Sequence, residues 1–198
     1  MANDASQVRV GLADYVTGAV TYGPVMKTVP DDMDAANAAT ASFKKSGYVS
    51  EDGLELSTDF STTDIGEMNG ATVRKLLEKF TGEFTFTLLQ AFTYEDACIA
   101  FGEQHVKKTA ATKQHGERIT IGVGAHLPEP HGWAFNMKDG DARMKVLVPN
   151  GQVTTLDSIT FTANDAIKLP VTVSCYDDGT GTGDSITIYT DDGAKTAA

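Results

Sequence analysis

Apolar side chains alternate with polar ones in several separate segments of this chain. The segments that show it are Phe84/Phe86/Leu88, Trp133/Phe135/Met137, Met144/Val146/Val148, Val171/Val173/Cys175 and Ile186/Ile188. Successive side chains of a strand point to opposite faces, so a period of two is typical of half-buried antiparallel strands. This pattern, repeated along the chain, predicts a mainly β protein.

The predicted strands form one domain over residues 1–198. They cover residues 83–89, 119–125, 132–138, 142–148, 153–162, 169–176 and 185–190, with a further strand over 72–80. No linker or internal repeat divides the chain. The fold class that fits is an antiparallel β-sandwich or barrel with one flanking α-helix. Residues 1–7 and 191–198 are small and polar, and we expect flexible terminal arms there.

The flanking helix is predicted over Tyr94–Phe101. Thr93 precedes it as an N-cap, and Asp96 stands in the capping-box position. Tyr94, Ala97, Cys98 and Phe101 follow helical spacing and should form a buried stripe, and Gly102 should end the helix. A shorter Ala-rich helix is predicted over residues 34–43, capped by Asp34 or Thr40 and ended by Gly47.

The stretch from Gly47 to Thr72 contains no Lys or Arg. Asp52-Gly53 predicts a hairpin turn between strands at 48–50 and 54–57, and Asn69-Gly70 predicts a second turn. Residues 57–70 between them are rich in Ser, Thr and Asp. We predict a long loop over 56–72, and irregular segments of that length in a compact domain are often functional.

Composition excludes some functions. The chain has 198 residues, 41% of them hydrophobic, and a net charge of −11, so it can fold but is poorly suited to bind nucleic acid phosphates directly. Its first ten residues have no apolar signal core, and no apolar run reaches transmembrane length. We therefore expect synthesis in a cytoplasm and no membrane association.

No catalytic or cofactor motif is present, so an enzyme is not expected. His126 and His131 bracket Pro128-Glu129-Pro130, and Asp177, Asp178 and Asp184 flank three glycines. A solvated loop and a plain hairpin turn explain these two segments better than a metal site, because neither has the spacing of a known ligand set. Cys98 and Cys175 are expected to be reduced. The sequence thus predicts no metal and no cofactor.

Four blocks in order resemble the major tail tube proteins of long-tailed bacteriophages with non-contractile tails. They are Ala38–Phe60 with GYVSEDG at 47–53, then TTDI at 62–65 with NGATVR at 69–74, then FTFTLL at 84–89 leading into the Tyr94–Phe101 helix, and Trp133–Val153 with RMKVLVPN at 143–150. The resemblance implies a β-sandwich with one flanking helix, and six-subunit rings that stack into a tube.

The resemblance also implies a site, partners and a location. The loop after the early hairpin bridges rings in that family, so the expected inter-ring or inter-subunit contacts are Asp59, Thr62, Thr63, Asp64, Ile65, Glu67, Met68 and Asn69. Implied partners are further copies of the chain, a tape-measure protein, a tail terminator and distal tail proteins. DNA would pass through the lumen without specific binding. The protein would be made in the host bacterial cytoplasm and reside in the virion tail.

Two alternatives stay open. One is the inner tube protein of a contractile injection system, which shares the fold. The other is a small-ligand or carbohydrate-binding β-sandwich, which would need a concave pocket with convergent polar groups. For the tube, the basic cluster Lys107, Lys108, Lys113 and Arg118 is expected away from the axis, where it could pair with Asp59 or Asp64 of a neighbour.

Overall fold

The structure is a computed structural model that describes residues 8–179, 181 and 183–194. The described elements are two α-helices and eleven strands. The helices are α1 (Met33–Ala39) and α2 (Tyr94–Phe101). The strands are β1 (Leu12–Ala13), β2 (Val20–Gly23), β3 (Lys44–Lys45), β4 (Val49–Gly66), β5 (Thr72–Leu88), β6 (Val106–Thr109), β7 (Arg118–Ile121), β8 (His131–Asp139), β9 (Ala142–Leu156), β10 (Leu169–Cys175) and β11 (Thr187–Asp191). The predicted fold class, mainly antiparallel β with a flanking helix, is confirmed.

Nine strands form one sheet in the order β3-β2-β8-β9-β10-β5-β4, with β1 also paired to β8 and β11 to β9. The first half of β9 pairs with β8 and β11, and its second half pairs with β10. The sheet therefore bends along β9 and folds over its own core. The ring of Phe84 on β5 stacks on that of Phe135 on β8, with 4.4 Å between centroids, although these strands are not neighbours in the sheet.

The core is centred on Trp133, which is fully buried. Its Nε1 donates a hydrogen bond to the carbonyl oxygen of Gly151 at 2.9 Å, so the buried polar atom of the ring is satisfied. The strands predicted from alternation supply the rest of this core, including Phe86, Val171 and Val173. The alternating residues of β5, β8 and β10 therefore face inward, as predicted.

Helix α2 has the predicted bounds. Thr93 Oγ1 accepts a hydrogen bond from the backbone N–H of Asp96, and Gly102 follows with a φ of 86°. Ala97 and Cys98 are buried as predicted, but Tyr94 and Phe101 are only partly buried. The helix also buries its other side, where Ile99 and Ala100 belong to the main core.

The second cover of α2 is a small hairpin, of which sequence reasoning predicted one strand: β7 corresponds to the strand predicted over 119–125 but ends at Ile121. No helix or strand was predicted in the segment 103–118. It contains a short 3-10 helix (Glu103–His105), strand β6 and the start of β7. Val106, Ile119 and Ile121 pack against Ala97 and Cys98 in a separate apolar cluster. Val106 is the one apolar residue of β6, so this strand has no periodic signal from which it could have been predicted.

Helix α1 begins one residue earlier than predicted and ends sooner. Asp32, not Asp34 or Thr40, is the N-cap, and its Oδ1 accepts from the Ala35 N–H at 2.8 Å. The helix ends at Ala39 with Thr40 as its C-cap, well before Gly47. Its Ala36 packs on Ala134 and Leu147, so the centre of the sheet is covered on both faces.

Two predictions for the C-terminal strands are wrong. The segments 142–148 and 153–162 were predicted to be separate strands, but one strand, β9, runs from Ala142 to Leu156. The Asn150-Gly151 dipeptide does not turn, because Gly151 lies against Trp133 with no room for a Cβ atom. In β11, Tyr189 is the buried residue, whereas Ile188 is 53% exposed.

The predicted loop over 56–72 is also wrong as a conformation. Residues 49–66 form β4 and residues 72–88 form β5, and the two strands pair antiparallel along their lengths. Asp52-Gly53 does not end a strand. It lies in a bulge, since Val49 is opposite Leu88 and Leu54 is opposite Phe86. The Asn69-Gly70 turn and the strand over 72–80 are confirmed.

Candidate assembly surface

The outer part of the β4–β5 hairpin extends away from the core. We call residues 55–81 the hairpin arm. Residues 55–79 of it are exposed on both faces. Leu56, Ile65 and Leu76 are the least exposed of their large apolar side chains, at 37%, 43% and 39%. Twelve β4 residues, 55–66, correspond to an arm about 40 Å long. An isolated two-stranded hairpin is at best marginally stable in water, so this arm lacks the covering surface that strands normally need.

One face of the arm continues the apolar core face outward. Phe60 and Phe80 lie opposite each other in the ladder, with ring centroids 5.1 Å apart. Leu56 and Leu77 lie on the same face on either side of them. Phe60 and Leu77 are each 61% exposed, so an apolar strip faces solvent in the single chain. A connected exposed strip of this kind marks an interaction surface.

Charged and polar side chains join the two strands of the arm: Asp64 with Lys75 on the face of Phe60, and Thr63, which lies on the other face, with Glu78. Lys75 Nζ lies 2.7 Å from Asp64 Oδ1, and this hydrogen bond lowers the pKa of the Asp64 carboxyl. Thr63 Oγ1 also bonds Glu78 across the strands. These contacts hold the two strands of the arm together in the absence of a buried side.

The end of the arm is a tight turn. The Glu67 N–H donates to Ala71 O at 2.8 Å, and the Gly70 N–H donates to Glu67 O at 2.9 Å. Gly70 has a φ of 88°, a backbone conformation that L side chains rarely adopt, so glycine suits this position. Met68 at the tip is fully exposed.

Both long edges of the arm are open. β4 is the last strand of the sheet, and β10 pairs only with residues 82–88 of β5. Within the described residues, no strand pairs with the outer edge of β4 or with residues 72–81 of β5. Proteins usually protect long edges with Lys, Pro or a cover, and β4 has none of the three. The unpaired backbone groups are therefore available for another chain.

All eight predicted contact residues lie on this arm. Asp59, Thr62, Thr63, Asp64 and Ile65 belong to β4, and Glu67, Met68 and Asn69 form the turn. Sequence reasoning missed the apolar strip of Leu56, Phe60, Leu77 and Phe80. The alternation of Leu54, Leu56 and Phe60 could have revealed half of it.

The basic cluster lies elsewhere, on the hairpin formed by β6 and β7. Lys108 pairs with Glu117 at 3.1 Å and lies over the ring of Tyr94. Lys107, Lys113 and Arg118 are exposed on the same hairpin. The cluster was expected to pair with Asp59 or Asp64 of a neighbouring subunit. Asp64 already pairs with Lys75 of its own chain.

The other candidate residues do not converge on a site. The His126 ring stacks on that of His105, whereas His131 packs against Tyr22 and Trp133, and burial lowers the His131 pKa. In the part of the chain that the structure describes, no group of three His, Cys, Asp or Glu side chains could hold a metal ion. Cys98 and Cys175 are both buried and unpaired, as predicted.

The terminal arms and the glycine-rich turn are described only in part. Residues 1–7 and 195–198 lie outside the described residues, and so do 180 and 182 of the turn between β10 and β11. Asp191 belongs to β11, so the predicted C-terminal arm begins no earlier than residue 192. Among the described helices, none is long and apolar enough to cross a membrane.

A compact β-domain with a long, uncovered hairpin arm has the surface of a structural protein that assembles with other chains. Comparison with known families agrees with this class. The chain belongs to the phage tail tube protein family, whose model matches residues 1–198. It is accordingly a structural protein of a phage tail and a component of the virion.

Two solved structures are distantly similar to the chain. The anti-feeding prophage cap, a tube-terminating cap, is 14% identical, with 96% of this chain and 97% of that chain covered and a TM-score of 0.47. The sheath/tube terminator in the extended state of the extracellular contractile injection system PVC is 15% identical, with 74% and 86% covered and a TM-score of 0.37. No curated protein matches the chain.

Proposed function

We propose that this protein forms the tail tube of a phage with a long, non-contractile tail, as hexameric rings stacked into a conduit for DNA. The observation that carries the proposal is the hairpin arm, which is exposed on both faces and open at both edges. In the assembled tube, the arm contacts neighbouring subunits and rings through Asp59, Ile65, Met68 and the rest of the predicted contact set.

The physical argument concerns the kind of contact that such an arm makes. The arm and the surface that receives it are different surfaces, so each contact is heterologous. Heterologous contacts form closed rings when the rotation closes and open filaments when it does not. A tube needs both, and a chain with long open edges and an apolar strip can supply them.

Charge is consistent with a DNA conduit. The chain has 27 acidic residues against 16 Lys and Arg, so it can present a net negative lumen that does not retain a polyanion. In this proposal the β6–β7 hairpin, with its basic cluster, lies away from the axis. The tape-measure protein, the tail terminator and the distal tail proteins are the proposed partners at the lumen and the two ends, and synthesis takes place in the host cytoplasm.

Electron microscopy of the purified protein over a concentration series tests the proposal. Rings or tubes are expected as the concentration rises. The matched variant replaces residues 60–80 by Asn-Gly, which joins Asp59 to Thr81, two residues that lie opposite each other in the ladder. Asn-Gly is a preferred two-residue hairpin turn, so the shortened hairpin should close without strain.

The variant separates folding from assembly. It removes only exposed and partly buried residues, so its thermal unfolding should stay close to that of the wild type, while tubes should be absent. Deleting residues 57–70 alone would be a poorer test, because it would leave the outer part of β5 without a partner. Normal tubes from the shortened protein would contradict the assigned role of the arm, and a wild-type protein that stays monomeric at every concentration would contradict the function.

The contractile alternative makes a different genomic prediction. An inner tube protein of a contractile injection system is encoded with a sheath protein, whereas the proposed non-contractile tail has a tape-measure gene and no sheath gene nearby. The gene neighbourhood therefore separates the two.

A further inference from the structure

The two strands of the hairpin arm carry opposite charges. Over residues 55–66, β4 has Glu55, Asp59 and Asp64 and no cation. Over residues 72–81, β5 has three cations and one acid, listed in order as Arg74, Lys75, Glu78 and Lys79. Asp64 and Lys75 pair with each other within the chain, which leaves two acids on β4 and two cations on β5.

These four remaining charges share one face of the arm. In the ladder, Asp59 lies opposite Thr81 and Lys79 lies opposite Ser61, on the side away from the Phe60–Phe80 strip. Glu55 and Arg74 lie on that same side by the alternation of the strands. Within the described residues, none of the four forms an ion pair.

The spacing of the charges matches across the two strands. Arg74 is opposite Ile65 and Lys79 is opposite Ser61, so a bulge in β5 makes these two cations four ladder positions apart, although five residues separate them in sequence. Glu55 and Asp59 are also four positions apart. When the β5 edge of one arm lies antiparallel to the β4 edge of another, both ion pairs can form in a single register.

We propose that the outer edge of β5 in one copy pairs with the outer edge of β4 in a second copy, in the register that sets Arg74 against Asp59 and Lys79 against Glu55. The inference rests on the proposed self-assembly and adds which edges meet, in which register and with what electrostatic selection. All arms then point the same way, as in one continuous antiparallel sheet, and their apolar strips lie on a common face.

This pairing also excludes the wrong contacts. Two β4 edges would bring acid against acid, and two β5 edges would bring cation against cation, and like charges directly opposite each other destabilise a ladder. Only the contact between unlike edges is favourable. Such a contact is directional, as a closed ring of identical subunits requires.

Charge reversal on one edge at a time tests the proposal. The acidic-arm variant is Arg74→Glu/Lys79→Glu, and the basic-arm variant is Glu55→Lys/Asp59→Lys. Each turns two attractive cross-strand pairs into two repulsive ones, so the critical concentration for assembly at low salt should rise about 10- to 100-fold. The control Lys27→Glu/Lys168→Glu matches the net-charge change of the acidic-arm variant away from the arm and should assemble as the wild type does.

An equimolar mixture of the two variants gives the decisive result. Acidic and basic arms can alternate around an even-numbered ring with every edge contact attractive, so the mixture should assemble near the wild-type critical concentration. If the mixture does not assemble while a single chain carrying all four substitutions does, the charges act within one chain and the proposal is overturned. Normal assembly of each variant alone also overturns it, but leaves the proposed function standing, whereas a wild type that does not assemble removes the proposed function itself.

The register has its own readout. A chain with Arg74→Cys and Asp59→Cys should form disulfide-linked ladders of subunits under mild oxidation of assembled protein. Within one chain these positions are six ladder positions apart and should not bridge. The native Cys98 and Cys175 are buried and should not compete. A chain with Arg74→Cys and Ser61→Cys should cross-link much less, and equal cross-linking of both would overturn the register.

Discussion

Asp96→Asn is expected to stabilise the fold at neutral pH and to weaken its pH dependence. Asp96 lies in the first turn of α2 and is fully buried. Its Oδ1 accepts a hydrogen bond from the Gly47 N–H at 2.8 Å, which ties the helix to the segment before β4, but its Oδ2 is buried without a partner. Burial raises the pKa of this carboxyl to about 6 from an ordinary value of 3.8.

The sign of the effect follows from proton binding. Between pH 4 and pH 6 the folded state holds the Asp96 proton more often than the unfolded state does, so the free energy of unfolding falls as the pH rises through this range. The difference between the two pKa values corresponds to a loss of the order of 3 kcal/mol by pH 7. Asparagine keeps the acceptor for Gly47 and carries no charge, so the variant should not lose this stability.

Urea unfolding of both proteins from pH 4.5 to pH 7.5 measures the effect. Relative to the wild type, the variant should gain about 1 kcal/mol at pH 4.5, where the folded state keeps the Asp96 proton but most unfolded chains have lost it, and about 3 kcal/mol at pH 7.5. Other carboxyl groups titrate equally in both proteins and cancel in the difference. Glu51→Gln, at an exposed position that is not among the groups shifting the Asp96 pKa, is the control. A difference between Asp96→Asn and the wild type that stays constant with pH would refute the reasoning.

The core and the helix give two further predictions. Gly151→Ala should cost about 1–3 kcal/mol in urea unfolding, because its Cβ would lie 2.9 Å from both Trp133 Cδ1 and Val173 Cγ1. Gly116→Ala, where a Cβ meets no atom within 4 Å, should change the free energy of unfolding by much less, and equal costs would contradict the packing argument. Phe101→Ala should cost less than the ~3–5 kcal/mol typical of a fully buried Phe, because its side chain is only partly buried; a larger loss would show that the hairpin of β6 and β7 depends on it.

The core strands and α2 could be predicted because their buried and exposed positions alternate in the sequence with the period of a strand or of a helix. In β10 and in the inner part of β5, residues 84–88, every second residue is apolar and buried, so the period of two predicts both the strand and its inward face. The Thr93 cap and Gly102 fix the ends of α2 through local hydrogen bonding and backbone geometry, independently of the rest of the fold. These signals need only neighbouring residues, and the structure confirms them.

Predictions failed where distant parts of the chain decide the structure. The segments 142–148 and 153–162 were predicted as separate strands, but the close contact of Gly151 with Trp133 keeps β9 continuous. Asp52-Gly53 looks like a hairpin turn, but the strand continues through it because β5 offers a partner on both sides of the bulge. The apolar stripe of α2 predicts one buried face, which the hairpin of β6 and β7 covers, but Ile99 and Ala100 on the other side pack against the sheet.

The hairpin arm was mistaken for a loop for a different reason. Neither face of its strands is buried in the single chain, so polar residues occupy both faces of β4. The alternation that reveals a half-buried strand is therefore weak. Thr and Ser positions suit a strand well enough once β5 is opposite, and the ladder supplies what the side-chain pattern lacks. The composition of such a segment is set by the surface it meets in an assembly, and that surface belongs to another chain. An acidic strand beside a basic strand is the pattern expected of two sheet edges that bind each other between copies of one protein. Each such edge repels an edge of the same charge.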